Sequence, residues 1–378
     1  MNRPVPAWLL VLALGVGCGG TTPDTGESTA GGDSAAVDPA ALEEFESGVR
    51  ELGRTGRPAE RRARTHFEAA LEIEPTLWEA RYDLGVLDRR AGDLLGAAAA
   101  FEAARALAPG SSEVLTALAE VRWALGERDT AASLLRAYVD GHTDDLSARV
   151  SLAMMLRELG DHDGALAQAR EVLVCDPRNV GALAEVGRAY SAREQYDIAE
   201  LVFGKALDLG ESAVLHNDLG LMELARGDTQ AAFEQFRAAI ALDAAYAPAH
   251  INQGAVLLRA GDYVGAETEY RAVLEHDADD ADARVCLGAA LRGRGEHRDA
   301  RREYEHVLEA MPSHAAALFD MGVLLAEFLD ERGEAREYFR RYLAAAPGSA
   351  PERATAERYV SDIDSELGPA VAPAAAAD

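Results

Sequence analysis

The stretch NDLGLMELARGDTQAAFEQF, from Asn217 to Phe236, decides the fold. Most of its residues favour helix, yet Gly220 lies among them, and a glycine inside a helix costs about 1 kcal/mol relative to alanine. Gly227 and Asp228 then interrupt the pattern, because glycine readily takes the left-handed conformation that ends a helix and aspartate caps the next one. The stretch therefore predicts two helices joined by a tight turn.

The same pattern recurs along most of the chain. Small residues at the Gly220 position follow one another at intervals of 34 residues, with a single interval of 33. They are Gly85, Ala119, Ala153, Gly187, Gly220, Gly254, Gly288 and Gly322. An alanine follows twelve residues after each of them, one residue late in the last unit, and a bulky apolar residue usually comes four residues further. Such a period predicts stacked helix pairs that bury their apolar faces against their neighbours.

Several units also end in a proline, which cannot continue a helix. This pattern resembles the tetratricopeptide repeat (TPR), a helix–turn–helix unit of 34 residues. The resemblance implies an all-α fold, a right-handed superhelical α-solenoid of about nine helix pairs. We expect the array over residues 41–349 with a degenerate first unit, a capping helix over 350–367 and a disordered tail over 368–378.

The N-terminal segment MNRPVPAWLLVLALGVGCGG combines Arg3, an apolar run too short to span a bilayer, and small residues before Cys18. It resembles the lipobox of bacterial lipoproteins, in which the signal is removed and the cysteine is acylated, although Gly15 stands where that family prefers leucine. We expect a signal peptide over residues 1–17, lipidation at Cys18 and a disordered tether over 18–40. An ordinary cleaved signal peptide is the alternative.

Gly19 follows the cysteine where aspartate would mark retention in the inner membrane of enteric bacteria. The resemblance therefore implies an outer membrane lipoprotein that faces the periplasm, with the membrane contacted through the lipid anchor. The net charge of -28 repels phosphate backbones, so we expect no nucleic acid partner.

Motifs of catalysis are missing from the sequence: it has no phosphate-binding glycine loop, no HExxH and no Gly-x-Ser-x-Gly. We expect that the protein is not an enzyme and that it binds no cofactor, no metal and no small-molecule substrate. His216 and His250 share one repeat position, which favours packing over a metal pair. Cys175 and Cys286 are 111 positions apart and are expected to be small, buried, unpaired thiols.

The remaining candidate surface is a groove that, in the TPR family, is lined by the first helix (helix A) of each pair. Carrying the family's groove positions onto this chain gives a candidate set with recurring arginine. The set is Tyr82, Arg89, Arg90, Trp123, Met154, Arg157, Arg188, Asn217, Asn252, Arg259, Arg292 and Phe319, with Leu221 and Val323 at the same positions. The lysine and asparagine positions of the TPR subtype that grips chaperone C-termini do not match.

Arginine beside aromatic residues suits forked contacts to carboxylates together with stacking. One interpretation is therefore a groove that grips an extended or helical segment of a partner protein bearing acidic side chains. The alternative is that these arginines pair with the chain's own aspartates and glutamates.

Two runs suggest a narrower resemblance, LHNDLGLMELARGDTQAAFEQFRAAIALDAAYAPAHINQGAVLL and ALFDMGVLLAEFLDERGEAREYFRRYLAAAP. Both are similar to the TPR lipoproteins of the adventurous gliding motility apparatus of myxobacteria. The resemblance implies a scaffold in an envelope-spanning motility complex. A type IV pilus or secretin assembly lipoprotein, and an adaptor for a cell-wall enzyme, are the alternatives.

Overall fold

Helix pairs joined by short turns make up the computed structural model, which describes residues 37–54 and 56–368. Over these residues the chain forms nineteen helices and no strand, which confirms the predicted all-α stack of helix pairs. Cys18, residues 1–36 and the tail after Gly368 lie outside the described residues, so the lipidation site, the signal peptide and most of the tether do too.

Helices α1–α10 form one compact unit, which ends at Gly210. The helices of this first unit are α1 (Pro39–Leu52), α2 (Arg57–Ile73), α3 (Trp78–Arg90), α4 (Leu94–Leu107), α5 (Ser112–Ala124), α6 (Arg128–Gly141), α7 (Leu146–Glu158), α8 (His162–Cys175), α9 (Val180–Ala192) and α10 (Tyr196–Leu209). Odd-numbered helices are the A helices of their pairs, and even-numbered helices are the B helices.

Helices α11–α19 form a second compact unit, which begins at Glu211. Its helices are α11 (Ala213–Arg226), α12 (Thr229–Leu242), α13 (Ala247–Ala260), α14 (Tyr263–His276), α15 (Ala281–Gly293), α16 (His297–Ala310), α17 (Ala315–Glu327), α18 (Arg332–Ala345) and α19 (Arg353–Leu367). The last helix packs on α18, where the ring of Tyr359 stacks on Phe339 with centroids 4.6 Å apart.

The turn at Gly227 has the predicted geometry. Gly227 ends α11 with φ of 98°, in the left-handed region that costs glycine little. The side chain of Asp228 then accepts a hydrogen bond from the backbone N–H of Ala231 at 2.9 Å, which caps the start of α12. The same aspartate cap begins α4, α8 and α14.

The glycine inside each A helix makes room for an aromatic ring on the B helix. A Cβ atom on Gly220 would lie 2.5 Å from Cε1 of Phe236, a ring that is fully buried. Where the small residue is Ala119 instead, the opposing side chain is the smaller Leu135, and both are fully buried. The helical cost of the glycine is therefore offset by burial of a large ring.

One expectation about the thiols is wrong. Cys175 and Cys286 are free thiols, but Cys175 is exposed because it is the last residue of α8 and lies beyond Val172, the last buried residue of that helix. Cys286 is half-buried, and burial raises its pKa to about 11. Within the described ranges, no helix is both long and apolar enough to cross a bilayer.

Candidate functional site

The candidate residues all lie on A helices. We call the side of α3, α5, α7 and α9 that carries them the first A-helix face, and the corresponding side of α11, α13, α15 and α17 the second A-helix face. In the second unit these four helices contact one another in order. Each face is described by itself.

A buried carboxylate organises two arginines of the first A-helix face. Glu185 on α9 is only 3% exposed, and it accepts a hydrogen bond from Nε of Arg157 at 3.0 Å. Nη1 of Arg188 donates to the other oxygen of the same carboxylate. Arg157 also pairs with Glu158 at 2.7 Å. Here the alternative interpretation is the correct one, because both arginines are bound by the chain's own acids.

Arg89, at the other end of this face, is also paired with an acid of the same chain. Its Nη1 lies 2.6 Å from Oε2 of Glu120 on the next A helix, and burial raises the pKa of that glutamate against the opposing effect of Arg89. Tyr82 is half-buried with its ring against Phe101 of the core. Arg90 is exposed at the end of α3 and lies near the half-buried Asp83.

Two other candidates on the first A-helix face are packing residues. Trp123 is only 7% exposed and belongs to the core, while the guanidinium of Arg128 lies 5.3 Å from its ring centroid. Met154 is half-buried against the same core cluster. The sequence placed both in the groove because their repeat positions matched, but both pack with the core cluster that includes Leu152 and Met155.

The second A-helix face carries more amide and apolar side chains. Nδ2 of Asn252 on α13 donates to Oδ1 of Asn217 on α11 at 2.8 Å. Nη1 of Arg292 on α15 lies 2.9 Å from Oδ1 of Asp320 on α17, whose pKa is raised by burial. Phe319 packs against the rings of α18 and is partly buried.

Arg259 differs from the other arginines of the second A-helix face. Its side chain is exposed near the end of α13, and it forms no ion pair or hydrogen bond with any residue from 37–54 or 56–368. Leu221, on α11 of the same face, is 43% exposed. Both side chains are exposed to solvent.

The acids that hold the arginines were missed at the sequence level. Glu185 follows Arg157 by 28 residues and Asp320 follows Arg292 by 28, so each arginine contacts the next A helix six residues short of one full repeat. Glu120 follows Arg89 by 31 residues. This spacing is visible in the sequence, but a search for groove positions alone does not pair one repeat with the next.

The two repeat-related histidines form bonds within their own helix pairs. Nδ1 of His216 lies 2.8 Å from Oε1 of Gln235, and Nδ1 of His250 lies 2.6 Å from Oε2 of Glu269. The bond to Glu269 raises the pKa of His250. Across the described part of the chain, no group of three or more His, Cys, Asp or Glu side chains is arranged to hold a metal ion.

These features define a helical-repeat protein that presents a row of A-helix faces. Family models described as tetratricopeptide repeat match at residues 50–112, 116–180, 186–247 and 287–350, and a second such model matches at 223–286. The chain belongs to the tetratricopeptide repeat family. Arrays of this family typically act as scaffolds that bind peptides and proteins.

Several solved structures are similar to parts of this chain. One chain of the APC/C hetero-tetramer Cut9–Hcn1 is 15% identical to this chain, with a TM-score of 0.52. The match covers 85% of this chain and 66% of that one. YrrB, a TPR protein with an unusual peptide-binding site, is 24% identical with a TM-score of 0.37, over 50% and 97% of the two chains. PilF of Pseudomonas aeruginosa is 20% identical with a TM-score of 0.48, over 60% and 99%. Comparison with curated protein sequences finds no significant match.

Proposed function

We propose that this TPR protein is a non-enzymatic scaffold that binds a segment of a partner protein on its second A-helix face. The observation that carries the proposal is Leu221, a large apolar side chain that remains 43% exposed on α11. On the first A-helix face the polar candidates Arg89, Arg157 and Arg188 are bound by the chain's own acids. On the second face, by contrast, Leu221 and Arg259 are both exposed, and Arg259 bonds to no described residue.

A pair of matched variants tests the proposed face. Leu221→Asp places a charge on the second A-helix face, whereas Val264→Asp places the same charge on α14, where Val264 is 60% exposed. After crosslinking in the source cells, we expect Leu221→Asp to lose partners that co-purify with the wild type, and Val264→Asp to keep them. Identical partners with both variants would contradict the proposal.

The proposed anchor is a lipid on Cys18, supported by the apolar signal and the small residues before that cysteine. More than one acyl chain is needed for stable anchoring, and lipoprotein processing supplies several. Cys18→Ser is expected to release the protein from membranes and to abolish incorporation of labelled fatty acid. Cys175→Ser is the control, and membrane fractionation that does not change in Cys18→Ser argues for an ordinary signal peptide.

The proposed setting is a bacterial envelope complex, with the outer membrane as the anchor site and the periplasm as the compartment. The likeness of two runs to gliding motility TPR lipoproteins supports a motility machine. Deletion of the gene separates this from the alternatives: loss of single-cell gliding supports motility, loss of assembled secretin supports the pilus role, and altered cell-wall synthesis supports an adaptor. We propose protein partners for the scaffold and neither nucleic acid nor small-molecule substrates.

A further inference from the structure

A cluster of arginines surrounds the turn between α1 and α2. Residues 50–64 hold six arginines and two glutamates, in a chain whose net charge is -28. Arg64 is half-buried and pairs with Asp88, whereas the other five arginines are exposed. We call these five residues the basic patch: Arg50, Arg54, Arg57, Arg61 and Arg62. The charge of this surface is opposite to that of the chain as a whole.

The basic patch is continuous across the turn. Arg54 and Arg62 bind the two oxygens of the Glu51 carboxylate, so their guanidinium groups lie together. Arg57 and Arg61 are four residues apart on α2, which places them side by side on the surface of that helix. Arg61 is also the chain neighbour of Arg62. The end of α1 and the start of α2 therefore present one positive surface.

Three arginines of the basic patch are not neutralised by the fold. Arg57 and Arg61 form no ion pair with any described residue. Arg50 lies 3.9 Å from the exposed carboxylate of Glu46, and an exposed ion pair of this kind contributes little. The charges of these three side chains are therefore available to an anion from outside the chain.

Arg50 also shows that the basic patch lies at an open end of the array. It follows Gly48 by two residues, and Leu87 and Val121 follow the small residues of the next two units by two. Leu87 and Val121 are buried in core clusters that include the preceding B helix. No described helix precedes α1, so Arg50 stays in solvent, where an external surface can approach it.

The proposed anchor brings a bilayer close to the basic patch. Twenty-one positions separate Cys18 from Pro39, where α1 begins. A flexible chain of that length spans about 25 Å on average, and α1 itself is about 21 Å long. The first helix pair is therefore the pair that reaches the lipid surface most easily, and it carries the positive charge.

The acids of the later repeats do not prevent this contact. At physiological ionic strength the Debye length is about 8 Å, which is less than the diameter of one helix. A bilayer that touches α1 and α2 is therefore screened from the charges of more distant helix pairs. The net charge of the chain governs its approach from a distance, whereas the basic patch governs the contact.

We propose that the basic patch is a second membrane contact, which binds the phosphate groups of anionic lipids and fixes the orientation of the first helix pair on the bilayer. This rests on the proposed membrane setting, to which it adds a lipid class and a protein surface. The guanidinium group suits this role, because it binds phosphate through paired, charge-assisted hydrogen bonds. A lipid anchor alone holds the chain at the membrane without orienting it.

Arginine footprinting of the full chain, reconstituted into vesicles from detergent, tests the contact directly. Phenylglyoxal modifies accessible arginines, and mass spectrometry measures the rate at each position. In an equal mixture of phosphatidylcholine and phosphatidylglycerol we expect Arg57 and Arg61 to react about fivefold more slowly than in phosphatidylcholine alone. The internal controls are three exposed arginines of later helix pairs, which should react equally in both: Arg136, Arg178 and Arg237.

Competition between the two kinds of vesicle then measures the preference of matched variants. The patch variant carries Arg50→Gln, Arg57→Gln and Arg61→Gln. The control variant carries Arg136→Gln, Arg178→Gln and Arg237→Gln, and it therefore has the same net charge as the patch variant. We expect the wild type and the control variant to favour the mixed vesicles, by about fivefold for each arginine in contact, and the patch variant to lose this preference. Salt at 1 M, where the Debye length is about 3 Å, should remove the preference as well.

The outcomes separate this inference from the proposed anchor. Equal distribution of the wild type between the two kinds of vesicle supports the anchor and overturns the membrane contact of the basic patch. Wild type found only on the mixed vesicles supports the contact and argues against the anchor, and wild type found on neither overturns both. Equal modification of Arg57 and Arg61 in the two lipids, or the same preference in both variants, also overturns the inference.

Discussion

At the scale of single residues, the carboxyl of Asp83 is half-buried without a hydrogen bond, within the described ranges, that would stabilise its charge. Asp83 on α3 accepts no hydrogen bond from the described residues, and burial raises its pKa to about 6, with Glu113 and Glu79 adding to the rise and Arg90 opposing it. Because the folded state prefers the protonated form, Asp83 stabilises the fold at low pH. That stability is lost as the pH rises from about 4 to about 6.

Asp83→Asn should therefore stabilise the protein at neutral pH. The uncharged amide avoids the burial cost, and we expect a gain of about 1–3 kcal/mol at pH 7 that shrinks to nothing near pH 4. Urea unfolding at a series of pH values measures this dependence. The same gain at pH 4 and pH 7, or the same gain in a control Glu171→Gln on exposed surface, would count against burial as the cause.

A second residue departs from the pattern of its neighbours. Glu194, in the turn between α9 and α10, has φ of 60°, whereas the corresponding turn at Gly227 uses glycine with φ of 98°. A side chain in the left-handed region costs about 1–2 kcal/mol. Relief of this strain is partly offset by the larger entropy of glycine in the unfolded state, so we expect Glu194→Gly to raise stability by about 0.5–1 kcal/mol in thermal unfolding. The reverse change, Gly227→Glu, should destabilise, and an increase in stability there would contradict the explanation.

At the scale of elements, each helix pair is held by a match between a small residue and a large one. Gly220 faces Phe236, and Ala119 is paired with Leu135 in the equivalent place. Adding a methyl group to Gly220 puts it 2.5 Å from the ring of Phe236, which must move. The A and B helices can pack closely only when the combined volume of these two side chains fits between them.

This match predicts a compensating pair of substitutions. Gly220→Ala alone should destabilise by about 1–3 kcal/mol through overpacking, and Phe236→Leu alone by a similar amount through a cavity. The double variant recreates the Ala119–Leu135 pair and should cost clearly less than the sum of the two. A double-mutant cycle in urea measures the coupling, and strictly additive free energies of unfolding would contradict the packing match.

The element scale also shows how far the sequence could predict the structure. The 34-residue period predicted the helix pairs and their turns, because Gly227 and Asp228 determine where helices end and begin regardless of distant contacts. Individual faces were harder to predict. Trp123 shares a groove position in the repeat yet is buried, and the partner of Arg157 depends on Glu185 in another repeat. Repeat position gives an approximate direction for a side chain, whereas burial and ion pairing depend on what the next helix supplies.

At the scale of the whole molecule, an array of helix pairs buries each pair against its neighbours, so its open end needs a cap. In the second unit α19 fills that role: Tyr359 stacks on Phe339 with planes 4° apart, and the carboxylate of Asp364 accepts hydrogen bonds from Arg336 and Arg340. Tyr342 on α18 is left only 2% exposed. Stability at this end is therefore local, since most contacts of α18 are with α17 and α19.

A chain ended after Ser349, which lacks α19, should lose protection at that end first. Exposing Phe339 and Tyr342 to water removes roughly 2 kcal/mol or more of burial for each ring. Hydrogen exchange is expected to accelerate in α17 and α18 while α3 and α4 keep their protection, because each pair depends mainly on its neighbours. A chain ended after Gly368 retains α19 and is the control. Uniform loss of protection across all helices would show that the array unfolds as one unit, so that α19 supports more than its neighbouring pair.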